Sequence, residues 1–388
     1  MTEMVHGAVP AGQGEPILPR WWRSVDKVSI LCVFALFAIG ILLGLAASPP
    51  LAERNGLAAF YYVERQLIFG AVALSTMLSF TLLTPHQVRR FGVLGFVLAF
   101  VALALLPVFG TDFGKGAVRW YSLGFGSFQP SEFLKPGFVV LCAWLLAAAQ
   151  EVAGPPGRVW SFAIASSIAA LLALQPDFGQ AVLFLFGWGV MYFVGGAPLT
   201  LLIVIGAGAV GAGVFAYGSS DHFARRIDGF LSPEIDPRTQ IGYATNAIQE
   251  GGFFGVGVGE GQVKRSLPDA HTDFIIAVAA EEYGLILVLL ILFLYIVVST
   301  RSLTRLMRER DPFARLAGTG LVCIFAVQAL INTGVAVRLL PAKGMTLPFV
   351  SYGGSSVIAA GIMAGFLFAL TRARPQGLLN DHLIRQGR

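Results

Sequence analysis

The sequence predicts an all-α membrane protein that crosses the bilayer several times. Of its 388 residues, 56% are hydrophobic and only 13% are charged, and the mean hydropathy is +0.73. Apolar runs with few or no charges recur along the whole chain, and each is close to the ~20 residues that a helix needs to cross a bilayer. A soluble protein of this length could not bury so much apolar surface, which excludes the soluble fold classes.

Ten apolar runs are predicted to be transmembrane helices. They lie near 27–48, 66–84, 91–110, 133–150, 159–175, 178–196, 198–217, 274–299, 315–340 and 350–371. The first run is longer than the ~7–15-residue apolar core of a signal peptide, so we interpret it as an uncleaved span. Together the spans form one membrane domain over 24–375, between polar tails at 1–23 and 376–388.

Basic residues indicate the orientation of this domain. An even number of spans places both ends of the chain on the same side of the membrane. Arginines and lysines are concentrated in the short connections of that side, most of all in 300–315. Because such connections stay in the cytoplasm, both termini are predicted to be cytoplasmic. The longest connection, about 218–273 between spans seven and eight, is then periplasmic.

Composition also argues against several kinds of site. Cys32, Cys142 and Cys323 all lie inside apolar runs, so we expect buried thiols and no disulfide. The net charge of +5 comes without a long basic tract, which argues against a nucleic-acid partner. The glycine-rich stretch 255–261 imitates a nucleotide-binding motif, but no strand–helix unit surrounds it. We therefore expect no nucleotide, and no haem either.

The densest group of ionisable residues lies between Lys264 and Glu282, where the long connection enters span eight. Ionisable groups at a membrane edge are costly and usually mark a functional site. Asp269, His271 and Asp273 could hold Mg²⁺ or Mn²⁺, although their spacing is not diagnostic of a metal site. Alternatively, Asp273 could serve as the N-cap of the helix that follows.

Other charged residues lie inside the spans or at their ends. Glu132 and Lys135 are three residues apart at the start of span four and are predicted to pair, in a structural role or at a substrate site. Asp177 follows Pro176 between two spans and could partner Lys135 or Arg119.

Glu281 and Glu282 lie about two turns into span eight. Because a buried charge is costly there, at least one of them should have a partner or face a wet cavity. The stretch 352–356 is rich in glycine and serine, and we expect it to allow tight helix packing.

Several cations on the predicted outer side indicate an anionic partner, either a lipid phosphate or a diphosphate. Headgroup contacts and local ion pairs are the alternative for any one of them. The candidates for binding a diphosphate are Arg119, Lys135, Arg225, Arg226, Lys264, Arg265, Arg338 and Lys343.

Four groups of segments resemble the SEDS family (shape, elongation, division and sporulation), which are multi-spanning polymerases of peptidoglycan. Their order and spacing match from about residue 27 to 375, and 338–346 is similar to the cell-division branch. The matching segments are Gly116–Trp120 followed by Gln129–Glu132 and Lys135, then Gln175–Gly179, then Leu267–Phe274 with Glu281 and Glu282, and finally Pro341–Ser356.

The resemblance implies that Asp273 is the catalytic residue, and we expect Asp269, His271, Glu281 and Glu282 to support it. The chemistry suits a carboxylate, because a sugar hydroxyl attacks poorly until a positioned base takes its proton. The resemblance further implies that the substrate is lipid II, the undecaprenyl-diphosphate-linked disaccharide pentapeptide. It also implies a class B penicillin-binding protein and other division proteins as partners, at the septum in the bacterial inner membrane.

Two other functions are compatible with the composition. A transporter that flips lipid II would also have many spans and charges within the membrane, and a non-catalytic division scaffold would need no active site. No inverted repeat is visible, and the ionisable group lies at the outer edge rather than at mid-bilayer. Both observations favour the enzyme.

Overall fold

The structure of the protein is a computed structural model. It describes residues 17–112, 118–124, 126–151, 153–219, 221–232, 239–267, 269–341 and 344–373. Within these ranges the chain is a bundle of helices with one short hairpin. The predicted class, an all-α protein with several membrane-spanning helices, is confirmed.

Among the described residues, a helix coincides with each predicted span. These helices are α2 (Lys27–Arg54), α3 (Tyr61–Phe80), α4 (Pro85–Phe109), α5 (Pro130–Ala148), α6 (Gly157–Leu174), α7 (Phe178–Val194), α8 (Leu199–Ser219), α12 (Ile275–Leu306), α13 (Pro312–Ala336) and α14 (Gly354–Leu370). Six of them, α2, α4, α5, α6, α12 and α13, are long and apolar enough to cross a membrane. The count of ten crossings stays a prediction.

The remaining elements lie outside the predicted spans. They are α1 (Ile17–Ser24), the hairpin of β1 (Tyr121–Ser122) with β2 (Ser127–Phe128), α9 (Asp221–Leu231), α10 (Gln240–Gly251) and α11 (Val263–Ser266). The long connection before span eight is thus largely helical in its described part. Its helix α10 packs along α12 and also touches α13.

Local sequence explains where several helices begin. Thr84 and Gln87 form a capping box at the start of α4, in which each side chain accepts a hydrogen bond from the other residue's N–H, at 3.3 and 2.9 Å. Asp311 accepts from the N–H of Phe313 at 3.0 Å and so caps α13. These contacts satisfy N–H groups that a helix start leaves without partners.

Helices α5 and α13 lie at the centre of the bundle. In their most apolar stretches 72% and 67% of residues are buried, against 28% in both α4 and α6. Small residues allow close packing around this centre, as at Gly361 of α14, where an added Cβ would lie 2.4 Å from the carbonyl oxygen of Ala73 in α3. Such contacts are typical of membrane helix bundles.

Polar contacts tie several helix ends together at one end of the bundle. Arg301, near the end of α12, pairs with Asp26 at the start of α2, with 2.8 Å between Nη2 and Oδ1. Arg372, which follows α14, donates to the Ser24 side chain at 3.1 Å and to the carbonyl of Thr81 at 3.0 Å. The start of α2 and the residues after α14 therefore lie at the same end of the bundle. This end carries basic residues, in agreement with the predicted orientation.

Candidate active site

The acidic stretch before α12 forms a tight turn, residues 269–274, which we call the acid loop. Asp269 has a left-handed backbone with φ 54°, and its carbonyl accepts from the N–H groups of Thr272 and Asp273, both at 3.1 Å. The N-cap position of α12 is Phe274, and it has no side-chain capping bond. The alternative hypothesis, that Asp273 serves as the N-cap of the helix, is therefore wrong.

Three successive carbonyls of the acid loop accept hydrogen bonds from the region around the α13–α14 connection. Their donors are the N–H of Tyr352 to His271 at 2.9 Å, the hydroxyl of Ser351 to Thr272 at 2.5 Å, and the amide of Asn332 to Asp273 at 2.9 Å. Asn332 also donates to the carbonyl of Met345 at 2.6 Å. Hydrogen bonds from α13 and from the α13–α14 connection consequently fix the backbone at Asp273.

The side chain of Asp273 is half-buried and lies beside the bare backbone of Gly344. A Cβ added to Gly344 would come within 3.3 Å of Oδ2 of Asp273. A glycine at position 344 therefore leaves room next to the carboxylate. A partly exposed carboxylate on a fixed backbone is the arrangement expected of a general base.

Three rings lie around the acid loop and are all partly exposed. The ring of His271 is 5.1 Å from that of Tyr62 in α3 and 5.2 Å from that of Tyr352, measured between centroids. The Tyr62 and Tyr352 rings are 5.4 Å apart and nearly perpendicular. We call these three residues the aromatic cluster.

A buried polar network lies between α5, α7 and α13. Lys135 donates to Glu132 at 2.7 Å and to the side chain of Gln328 at 2.9 Å, and Gln180 donates to Glu132 at 2.7 Å. Gln328 in turn donates to the carbonyl of Thr346 at 2.8 Å. Buried charges need such partners, because an isolated one would be strongly destabilising.

This central network adjoins the acid loop through α13. Gln328 binds the carbonyl of Thr346, and Asn332, one turn later, binds those of Met345 and Asp273. Two side chains of one helix therefore connect the buried ion pair with the candidate catalytic residue.

Asp177 lies at the N-terminus of α7, where its carboxylate accepts from the N–H of Gln180 at 3.4 Å. Burial raises the pKa of Asp177, and the positive charge of Arg119 opposes that rise. Arg119 donates to the carbonyls of Gln175 and Pro176 at 3.1 and 2.6 Å. The guanidinium thus holds the turn before α7 in place.

Glu281 and Glu282 belong to a second cluster, about 12 Å along α12 from Asp273 at 1.5 Å per residue. Glu281 accepts from the N–H groups of Val263 and Lys264 at 2.7 and 2.9 Å. Glu282 pairs with the buried Lys264 side chain and accepts from the N–H of Gly259 at 3.2 Å. Both carboxylates therefore attach the 259–264 segment to α12.

Helix α12 is interrupted directly after this cluster. Gly284 has φ 74° and ψ −173°, outside the helical region. The N–H of Leu285 donates to the carbonyl of Gly252 at 3.1 Å instead of continuing the helix. A Cβ on residue 284 would lie 2.3 Å from the carbonyl oxygen of Phe253, so this position requires glycine.

The six candidate diphosphate-binding cations whose side chains the structure describes have different surroundings. Arg119, Lys135 and Lys264 bind carbonyls or carboxylates as described above. Arg338 donates to the carbonyls of Phe230, at 3.4 Å, and of Ser232, after the end of α9. Arg225 and Arg265 are exposed. The side chain of Arg226 and the whole of Lys343 fall outside the described residues, and a diphosphate-binding role stays a prediction for all eight.

In the described part of the chain, no three residues among histidine, cysteine, aspartate and glutamate are grouped so that they could hold a metal ion. Asp269, His271 and Asp273 therefore do not form such a group in the described part of the chain. A functional Mg²⁺ or Mn²⁺ stays a prediction.

Comparison with known proteins identifies the family. A family model described as cell cycle protein, covering FtsW, RodA and SpoVE, matches residues 26–376. This chain belongs to that family. The resemblance seen in the sequence motifs is therefore confirmed.

Relatives of this FtsW/RodA/SpoVE chain are similar over almost their whole length. The probable peptidoglycan glycosyltransferase FtsW of Caulobacter vibrioides (strain NA1000 / CB15N) is 39% identical over 92% of this chain and 92% of its own. Stage V sporulation protein E of Bacillus subtilis (strain 168) is 30% identical over 90% of this chain and 97% of its own.

Two solved structures share the fold of this FtsW/RodA/SpoVE member. One comes from work on the structural coordination of polymerization and crosslinking by a peptidoglycan synthase complex. Its TM-score is 0.74, with 28% identity over 90% of this chain and 98% of its own. The rod shape determining protein RodA of Thermus thermophilus has a TM-score of 0.65, with 28% identity over 92% of this chain and 99% of its own.

Proposed function

We propose that this protein is a peptidoglycan glycosyltransferase that polymerises lipid II into septal glycan strands, with Asp273 as general base. The observation that carries the proposal is the half-buried Asp273 carboxylate on a turn whose carbonyls are bound by Ser351, Tyr352 and Asn332. Full-length similarity to relatives named probable peptidoglycan glycosyltransferase FtsW supports the same activity.

The reaction follows from the chemistry of a carboxylate next to a sugar hydroxyl. Asp273 accepts the proton of the acceptor hydroxyl while the hydroxyl oxygen bonds to the anomeric carbon of the donor. The bond from that carbon to the lipid diphosphate breaks, and the diphosphate leaves with the electron pair. General-base assistance of this kind contributes ~10²–10⁴-fold to a rate.

A partner and a location complete the proposal. The protein works in the inner membrane at the division septum, next to a class B penicillin-binding protein that cross-links the new strands. Support comes from a structural neighbour that belongs to a complex in which polymerization and crosslinking are coordinated. Other division proteins would recruit this pair to the septum.

The test uses purified full-length protein with its transpeptidase partner and fluorescent lipid II, and polymer length is measured on gels. Asp273→Asn should abolish polymer while leaving the melting temperature unchanged. The matched control is Asp228→Asn, because Asp228 is an exposed aspartate of α9, and it should polymerise like the wild type. Normal polymer from Asp273→Asn would overturn the proposal. Lipid translocation without polymer in the wild type would favour a flippase, and activation of the partner alone would favour a scaffold.

A further inference from the structure

The rings of the aromatic cluster are more exposed than the large aromatic side chains of the bundle core. Large aromatic side chains in the bundle core, such as Trp188 and Tyr295, are 1% and 3% exposed. Tyr62, His271 and Tyr352 are in mutual contact yet each stays partly exposed. A group of rings that is half open beside a candidate active site can contact a ligand.

Polar contacts hold the rings in place. The amide of Asn55 donates to the hydroxyl of Tyr62 at 2.7 Å. Arg65 lies 4.8 Å above the ring of Tyr61, and the ring of Tyr61 is 5.3 Å from that of Tyr62. The N–H of Tyr352 also binds the acid loop. A ligand on these rings would therefore meet a prearranged surface, which reduces the entropic cost of binding.

The cluster and the candidate base share one short segment of chain. His271 precedes Asp273 by two residues, so their Cα atoms are at most about 7 Å apart. That distance is comparable with the width of one pyranose ring. A sugar in contact with the cluster would therefore lie close to the backbone segment that carries Asp273.

The chemistry of the rings suits a saccharide. The face of an aromatic ring carries negative charge density, and the C–H bonds on one face of a pyranose are weakly positive. Hydroxyl and amide groups at the edge of a ring cluster can bond the polar rim of a sugar. Tyr62 and Asn55 provide such groups at the edge of this cluster.

We propose that Tyr62, His271 and Tyr352 form a saccharide-binding subsite that holds the acceptor sugar of the glycan against Asp273. This rests on the proposed glycosyltransferase activity and assigns one of its substrate subsites. The subsite recognises an N-acetylated pyranose by stacking, independently of the lipid diphosphate.

The test measures binding of the soluble disaccharide of N-acetylglucosamine and N-acetylmuramic acid to the full-length protein in detergent, by saturation-transfer NMR and titration. Tyr62→Leu should weaken binding about three- to tenfold, the range expected for loss of one aromatic contact. Tyr62→Phe keeps the ring and loses only the hydroxyl, so it should bind more tightly than Tyr62→Leu. Tyr217→Leu is the matched control, because Tyr217 is an exposed tyrosine whose hydroxyl bonds Asp228, and it should also bind normally.

Two further measurements keep the outcomes distinct. Asp273→Asn should lose polymerisation but still bind the disaccharide, so a failure of the proposed activity is separate from a failure of the subsite. In the wild type, irradiation of aromatic protons should transfer saturation to the C–H protons of a pyranose face, which requires no variant. Absence of that transfer, or unchanged affinity of a folded Tyr62→Leu protein, would overturn the subsite.

Discussion

Asn332 and Asp273 are joined by a hydrogen bond of 2.9 Å from a side-chain amide to a main-chain carbonyl. The same amide reaches the carbonyl of Met345 at 2.6 Å. Asn332 is 2% exposed, so water would not easily replace it. One residue of α13 thus fixes both the backbone of the candidate base and the connection beside it.

Asn332→Ala should therefore reduce polymerisation about 10- to 100-fold, because a small displacement of a catalytic group can cost that much. Stability should fall by about 1–3 kcal/mol, since two carbonyls lose their donor. The measurements are the polymerisation rate and the midpoint of thermal unfolding. Thr333→Val is the control, because the Thr333 hydroxyl has no hydrogen-bond partner among the described residues. A normal rate in a folded Asn332→Ala protein would contradict the positioning role.

Lys135→Met should destabilise the protein by about 3–5 kcal/mol, because it leaves the buried Glu132 charge without its partner. The double variant Glu132→Leu/Lys135→Met removes both charges and should recover much of that loss. Chemical unfolding in detergent compares the two. Equal loss in the single and double variants would argue that the residues act through packing and not as an ion pair.

Gly284→Ala should destabilise the protein by about 1–3 kcal/mol, the cost of a strained backbone position, since its Cβ would collide with the carbonyl of Phe253. Gly189→Ala in α7 is the control, because nothing lies within 4 Å of a Cβ at that position. The control should be neutral or slightly stabilising. Similar melting temperatures for the two variants would refute the requirement for glycine at 284.

The Asp26–Arg301 pair should make stability depend on pH in acid. Burial raises the pKa of Asp26, but hydrogen bonds from Arg301 and Ser29 and the charges of Arg305 and Arg301 together bring it below its ordinary value of 3.8. A lowered carboxylate pKa contributes stability above the ordinary value, and this contribution is lost as the pH falls through the folded-state pKa.

The difference in melting temperature between wild type and Asp26→Asn should therefore be constant near neutral pH. It should shrink once the pH falls below about 4. Melting curves of both proteins between neutral and acid pH provide the measurement. A difference that stays constant down to the lowest pH at which both fold would show that Asp26 contributes no titrating charge.

Patterns that are local in the chain were predictable from the sequence. The apolar runs predicted where each long helix lies, because helix length and bilayer thickness are linked. The resemblance at Leu267–Phe274 predicted Asp273 as the catalytic residue, and the structure places this residue on a turn at the start of α12.

Long-range contacts were not predictable in this way. Asn332 is 59 residues from Asp273, and Gln328 is 193 residues from Lys135, so no local spacing could reveal either pair. An amide inside an apolar span is a signal that could have indicated them. The carbonyl contacts of Arg119 and Arg338 were likewise not predictable, because charge alone does not reveal which carbonyls a guanidinium binds.

The interruption of α12 at Gly284 has a mechanical consequence. Residues 275–282 before it are buried, whereas Leu285, Ile286 and Leu289 after it are 42%, 47% and 51% exposed. A helix whose backbone hydrogen bonds are interrupted no longer transmits bending from one half to the other. We therefore expect the part of α12 after Gly284 to tilt with changes in bilayer thickness. The part before Gly284, which follows the acid loop, should keep its alignment.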